Sequence, residues 1–582
     1  MITHTQRRTP TADGRRKFSV LLTASLVSSL IMLDSNIVAV SLPSIARSLG
    51  ATFTDIEWVV SAYVLTFAAL LLAAGSYADR HGRKLATLIG LVVFTVASAL
   101  CGLATSALML NLARALQGVG ASLLLTASLA VINHAFAGPE RAKAYAFWGA
   151  CLGIAITGGP IGGGVITDLF GWRWAFLVNL PIGVALFVTA AIVIAESRDH
   201  EAKRLDIVGI LTFSASLFLL IWALIDGNSL GWGTAAILWR LAGAAALLTA
   251  FVFVELRQQR PMVDFALFKQ PTFLGAAFAM LGYAGGAQVL IFFLPLLLQN
   301  AYGFAPARAG LAMVPFALPM FLTPRLGAGL ATRYSGRTLL TLGLATTLLG
   351  DLLLYAFALT GMTYAVFIIG MLVAGAGAGL LNSETAKAMQ SAVPAQRAGM
   401  ASGLSATTRF TGLLLGVAAL GAVLSESVSR RFVTAGAALG VDPDIAAAAA
   451  KRVASGDLTG ATAGVPEALQ AHLHAAAYKA FAGGFAEASL VAAAVAAITG
   501  VLAFTLVRPA DTAPAGNGEP HDLRCRGDGV AGLHDEGADR FSRPQEQFPN
   551  GNKTRCCGPY LDRGSMLVPT RILCEARGDG AR

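Results

Sequence analysis

The chain has 582 residues, 55% of them hydrophobic and only 13% charged, with a formal net charge of +10 and a mean hydropathy of +0.65. A soluble domain carries about 25% charged residues, so the composition excludes an ordinary soluble enzyme and describes a chain solvated by lipid. From Arg508 onward the tail holds 11 basic and 11 acidic residues, which leaves the whole net charge on the greasy body before it.

Fourteen apolar runs are long enough to cross a hydrocarbon core of about 30 Å as helices. They are predicted at roughly 18 to 40, 58 to 78, 85 to 104, 107 to 131, 144 to 166, 175 to 195, 206 to 225, 236 to 254, 273 to 297, 309 to 332, 338 to 359, 364 to 386, 400 to 424 and 486 to 507. The runs are continuous rather than alternating, which excludes a β-barrel. The first follows Arg15-Arg16-Lys17, a superficial match to a twin-arginine export signal. Asp34, a loop expected at Pro43 and the later spans make it a retained anchor instead.

Orientation follows from the loops: one set of faces carries twenty Lys and Arg, the other only Arg47, Arg173 and Arg308 in its short loops. The positive-inside rule then puts both termini in the cytoplasm. The long outer loop, 425–485, is Ala-rich and is expected to form short surface helices. Cys101 and Cys151 lie in apolar segments and the other four cysteines in the tail, so no disulfide framework is expected.

An internal repeat shows in the loops, where Gly75-Ser-Tyr-Ala-Asp79-Arg80-His-Gly82-Arg83-Lys84 returns in weaker form at Gly329 to Arg337. The body is therefore expected to be all-α and polytopic. It divides into an N-terminus (1–17), a six-helix bundle (18–195), a linker with two inserted spans (196–272), a second six-helix bundle (273–507) and a disordered cytoplasmic tail (508–582). Two repeated bundles around a midplane site are a transporter architecture.

Ionisable groups inside a membrane are functional candidates by default. Asp34 and Arg114 are predicted at matching depths, about 9 and 10 Å from the outer face, which makes them a candidate proton-carrying pair or a static packing pair. Asp351 sits near the middle of the eleventh span, either facing the cavity or pairing with another helix through a residue such as Arg409. Arg240, Arg325 and Glu384 lie near span ends, where snorkelling to the interface accounts for them. Tyr63, Trp148, Tyr283, Phe292 and Arg409 are candidates to line a substrate cavity.

At this point the residues resemble the major facilitator superfamily, and within it the fourteen-helix drug/proton antiporters of the EmrB/QacA type. Gly75 to Lys84 is similar to the superfamily's loop motif, G-x-x-x-D-R-x-G-R-K, at every fixed place. Leu33-Asp34 with Leu42-Pro43 resembles the first-span signature, Arg114-Ala-Leu-Gln117-Gly118 the fourth-span motif, and Gly159-Pro160-Ile-Gly-Gly163-Gly164 the fifth-span antiporter motif. Trp172 to Gly183 is similar to a stretch of the fourteen-helix branch. The resemblance implies a monomeric carrier in the plasma (inner) membrane that exports small hydrophobic or cationic compounds in exchange for protons. It makes Gly75, Asp79, Arg80, Gly82, Arg83 and Lys84 a gating loop, with anchoring alone as its alternative, and Gly159, Pro160, Gly163 and Gly164 a hinge.

No Gly-Lys dipeptide occurs, so there is no phosphate-binding loop for a nucleotide. Gly227-Asn-Ser229-Leu-Gly231 fits G-x-S-x-G but is expected in a short loop after the seventh span, without the strand and helix of a nucleophile elbow. The tail's His521, Cys525, His534, Cys556 and Cys557 lack zinc spacing. The chain is thus expected to be no enzyme, with no cofactor, no metal and no nucleic-acid partner. Uptake of a small metabolite, and a non-transporting scaffold or sensor, are the alternatives to export.

Overall fold

A computed structural model describes residues 10–512 apart from 137, 199–205, 259–262, 264, 394–397, 457–460 and 462–466. The expectations for the tail, disorder and the absence of a zinc site, fall outside the described residues beyond Thr512. The fourteen apolar helices are Gly14–Leu49, Phe53–Leu71, Arg83–Gly102, Ala107–Ala135, Lys143–Phe170, Trp174–Val193, Ile207–Leu230, Ala235–Arg257, Pro271–Asn300, Pro306–Leu330, Gly336–Leu359, Tyr364–Ser391, Gly403–Ala438 and Leu469–Leu506. They are called the first to fourteenth spans below. Spans 1 to 6 pack on one another, as do spans 9 to 14, and one continuous apolar core runs through both groups.

Local chemistry sets the span ends. The first helix runs through Pro43 to Leu49, so no loop breaks it at Pro43. A proline forfeits a single helical hydrogen bond, and packing on neighbouring helices sustains the rest. Gly50, at φ +59°, turns the chain, and Thr52 opens the second span with a capping box to Asp55. The sixth span is interrupted at Val178, between Trp174–Leu177 and Asn179–Val193. The ninth contains a π-helical turn at Tyr283–Gln288. The G-x-S-x-G match is helical up to Leu230, and Ser229 Oγ donates to the Asp226 carbonyl at 3.0 Å.

The outer-loop expectation needs correction. The helices bounding the loop extend deep into it, as Ala398–Ala438 and Glu467–Leu506, with the short helix Pro443–Ser455 between them. Alanine has the highest helix propensity, and Phe432, Phe481 and Phe485 are buried. Glu487 ties the extensions together by accepting from Arg430 and Arg431 at 2.9 and 2.8 Å.

Spans 7 and 8 pair with each other, and span 7 also packs against span 2 of the first group and span 13 of the second. Trp58 and Phe218 meet at 6.0 Å, while Asn228 Nδ2 donates to the Ala422 carbonyl at 2.6 Å. The inserted pair is therefore a strap across both groups.

Lipid offers helices no hydrophobic drive to associate, so close approach through small residues does the work. In span 5, a Cβ at Gly163 would lie 2.7 Å from the Ile37 Cα of span 1 and one at Gly164 would overlap the Pro306 carbonyl of span 10. Gly162 has nothing within 4 Å. Gly163→Val is therefore expected to destabilise by roughly 1–3 kcal/mol through overpacking, lowering the thermal unfolding midpoint of detergent-solubilised protein, whereas Gly162→Ala leaves it in place. Equal midpoints would contradict this packing.

Candidate functional site

The structure brings Asp34 of span 1 and Arg114 of span 4 into direct contact, Arg114 Nη1 donating to Asp34 Oδ2 at 2.7 Å, with side chains 0% and 1% exposed. Asp34 Oδ1 also accepts from Gln117 Nε2 at 2.9 Å and Asn179 Nδ2 at 2.7 Å. Arg114 gives its Nε to the Val59 carbonyl at 3.0 Å and its Nη1 to Gln117 Oε1 at 2.7 Å as well. Its guanidinium lies 4.1 Å over the Tyr63 ring. Ser98 Oγ accepts from Asn179 and donates to the Phe176 carbonyl. Spans 1, 2, 3, 4 and 6 all contribute, so the cluster lies within one group of spans.

Gln117 and Asn179 are site residues that sequence reasoning quoted in motifs without giving them a role. Gln117 is one turn from Arg114 on the same helix face, a spacing that brings side chains together. Asn179 stands where the sixth span is interrupted, an amide in an otherwise apolar run that must find partners when buried.

The motif at 75–84 is not a loop: the second helix runs on to His81, Gly82 at φ +119° breaks it, and the third helix starts at Arg83. Asp79 accepts from Arg83 at 3.0 and 3.2 Å, an i,i+4 pair inside the motif, and Arg80 is exposed. Lys84 Nζ donates to the Ala191 carbonyl at 2.5 Å. Glu196, absent from the sequence reading, accepts from the backbone N–H groups of Lys84 and Leu85 at 3.2 and 3.3 Å, which places a carboxylate at the positive end of the third helix. Gly75 faces Thr126 at ordinary contact distance.

The fifth-span residues make a two-sided contact. A Cβ on Gly159 would lie 2.5 Å from Asn36 Cβ and one on Gly163 against Ile37, so this side meets span 1 within a turn of Asp34. The other side meets span 10, where an added Cβ on Gly310 would overlap the Pro160 carbonyl.

Asp351 is fully buried on span 11, which packs on spans 12 and 14, and both its carboxyl oxygens lack a hydrogen-bond partner among the described residues. It does not pair with Arg409, which donates to Gln288 Oε1 at 3.0 Å and to the Tyr283 hydroxyl at 3.3 Å. Tyr283 donates in turn to Asn382 Oδ1. Of the five cavity candidates, Tyr283 and Arg409 are in contact, Tyr63 lies under Arg114, Trp148 meets Tyr145 at 6.2 Å, and Phe292 lines a small cavity beside Glu57. Nor do Arg240 and Glu384 snorkel: both are buried, paired with Asp226 at 2.7 Å and Lys387 at 2.6 Å. Arg325 is exposed and lies 5.1 Å from the Phe321 ring.

An all-helical membrane body with a sealed ion pair in one group of spans and a glycine contact joining that group to the other defines a polytopic carrier of small molecules across a lipid bilayer. The chain belongs to the Major Facilitator Superfamily, whose family model matches residues 24–417. It is 34% identical over 420 residues to the multidrug resistance protein Stp of Mycobacterium tuberculosis, covering 72% of this chain and 77% of that one. It is 33% identical over 502 residues to the multidrug efflux pump LfrA of Mycolicibacterium smegmatis, covering 85% and 97%. The cephamycin export protein CmcT of Amycolatopsis lactamdurans is 37% identical over 422 residues, covering 71% and 86%. Among solved structures, a bacterial homologue of the human lysosomal transporter Spinster shares the fold, with a TM-score of 0.61 at 15% identity over 85% of this chain and 98% of that one.

Removing one partner of a buried ion pair leaves an uncompensated charge and costs about 3–5 kcal/mol. Asp34→Asn is expected to lower the unfolding midpoint sharply, and Asp34→Asn combined with Arg114→Gln to recover most of the loss. Midpoints that fall additively would show that the two charges are not coupled.

Proposed function

We propose that this protein is a proton-coupled antiporter that exports hydrophobic or cationic toxic compounds by alternating access, as a monomer in the plasma membrane with both termini cytoplasmic. It acts as a carrier and performs no covalent chemistry. The names of its relatives, multidrug resistance and export proteins, support the direction of transport. The twenty-to-three bias of Lys and Arg supports the orientation.

The observation that carries the reading is the two-sided contact of the fifth span. One face of Gly159-Pro160-Ile-Gly-Gly163-Gly164 touches span 1 within a turn of Asp34 and the other touches span 10. Movement of the second bundle (273–507) against the first (18–195) therefore reaches the turn that carries Asp34. Rocking two rigid halves would leave the Asp34–Arg114 distance unchanged, since both residues belong to one half. The hinge supplies the internal shift that exchanges Arg114 for a proton.

Asp351 is the second proton-binding candidate, supported by its buried, unpartnered carboxyl. Tyr283 and Arg409 remain the candidates for substrate contact. The pair Asp79–Arg83, with Glu196 capping the start of the third helix, is the cytoplasmic gate. The contacts between the halves named here, Gln299 to the Val40 carbonyl, Gly164 to Pro306 and Phe67 to Phe410, run from mid-depth to the outer face. They support a carrier closed toward the outside.

Expression in a pump-deficient host is expected to lower ethidium accumulation, an uncoupler to abolish the effect, and Asp34→Asn to abolish it without loss of inserted protein. Efflux that persists with the uncoupler would overturn the proton-coupled reading.

A further inference from the structure

Glu57 lies near the outer end of the second span, 5% exposed, and its Oε1 is buried with no hydrogen-bond partner among the described residues. It points across the boundary between the halves: a Cβ added to Gly421 of span 13 would overlap its carboxyl. Beside it is a cavity of about 20 Å³, lined by Leu42 and Val60 from one half and Phe293, Leu296 and Val417 from the other. That volume has room for one water.

The elements packed around Glu57 supply little to balance a negative charge. Spans 1, 9 and 13 present the apolar groups just named. Span 7 presents Asp226, which acts on Glu57 through space as a like charge, and the cation nearest to Asp226, Arg240 of span 8, is already bound to it at 2.7 Å. Span 4 offers Asn111, engaged with the Asp55 carbonyl, and Arg114, engaged with Asp34. The outer-loop helix Pro443–Ser455 also packs on span 2, with the Lys451 and Arg452 side chains exposed. A buried carboxylate without a partner costs far more than the neutral acid.

We infer that Glu57 is a proton-operated latch of the outer gate: the halves close over it in its protonated form, and its ionisation in outside water holds them apart. The step is one proton transfer. As the gate closes, an O–H bond forms on the Glu57 carboxylate with a proton from the outside water, and as it opens that bond breaks and the proton returns to water. The inference rests on the proton-coupled reading and extends it, since the empty carrier can then return inward only after taking a proton from outside.

The test uses the full chain in lipid nanodiscs, with its native cysteines replaced and nitroxides placed on exposed Ser48 and Ala305 on opposite sides of the gate. Electron–electron distances are read at about pH 5 and about pH 9, on either side of the carboxylate-to-neutral range. In the parent protein the open-to-closed ratio is expected to rise with pH, by up to tenfold per unit where one proton governs the step. Glu57→Gln, nearly isosteric and permanently neutral, is expected to stay closed at both values. Gly421→Ala, which crowds the carboxyl, is expected to shift the population open at both. A Glu57→Gln protein that keeps the parent's pH response overturns the latch, while uncoupler-sensitive efflux measured in parallel would leave proton coupling standing. Uncoupler-insensitive efflux overturns the coupling reading and the latch with it.

Discussion

Taking a carboxylate and a guanidinium out of water costs several kcal/mol for each ion even after relaxation, and the cost is met only when geometry and extra hydrogen bonds are good. Asp34 and Arg114 meet that demand with three donors on the carboxylate and two carbonyl-type acceptors on the guanidinium, drawn from spans 2, 4 and 6. The local architecture follows from that requirement. Asn179 reaches Asp34 from the start of the helical segment after the interruption at Val178, and Gln117 can bridge both ions because it sits one turn from Arg114. Such an arrangement holds both side chains in one geometry, so separating the two ions would require a helix to move.

The fifth span is what connects this sealed cluster to the rest of the carrier. Its glycines let two helices approach at backbone distance on opposite faces, and its proline places a carbonyl against Gly310 of the other half. At the junction of the second and third helices, Glu196 at the positive end of the third helix and the Asp79–Arg83 pair tie the motif to the helix ends it joins. The inserted spans 7 and 8 add a strap that touches both halves, tying Asn228 to span 13 and Phe218 to span 2.

Much of this was legible in the sequence where composition or motif spacing constrained it. Apolar runs locate all fourteen spans, and counting residues inward from the loops pairs Asp34 with Arg114 from sequence alone. What stayed hidden depended on rotation about helix axes. A membrane span is apolar all round, so no polar stripe tells which side faces its neighbours. For that reason the sequence leaves open whether Asp351 pairs with Arg409, which the structure joins to Gln288 and Tyr283 instead. A carboxylate near a span end, such as Glu57, gives no signal in sequence alone, because snorkelling usually accounts for such residues. The extension of the last two spans into 425–485 was readable only as alanine content. Burial of Phe432, Phe481 and Phe485 decides it, and that is a tertiary fact.

The central claim is that Asp34 carries charge whose exchange for a proton drives substrate movement. It is tested most directly in proteoliposomes free of nucleotide, with an imposed pH gradient and a pH reporter read alongside a fluorescent cation. The account requires the purified protein to move the cation uphill against a matching proton flux, and the Asp34→Asn protein to bind the cation but show neither flux. Uphill movement with an undiminished proton flux in the Asp34→Asn protein would contradict it.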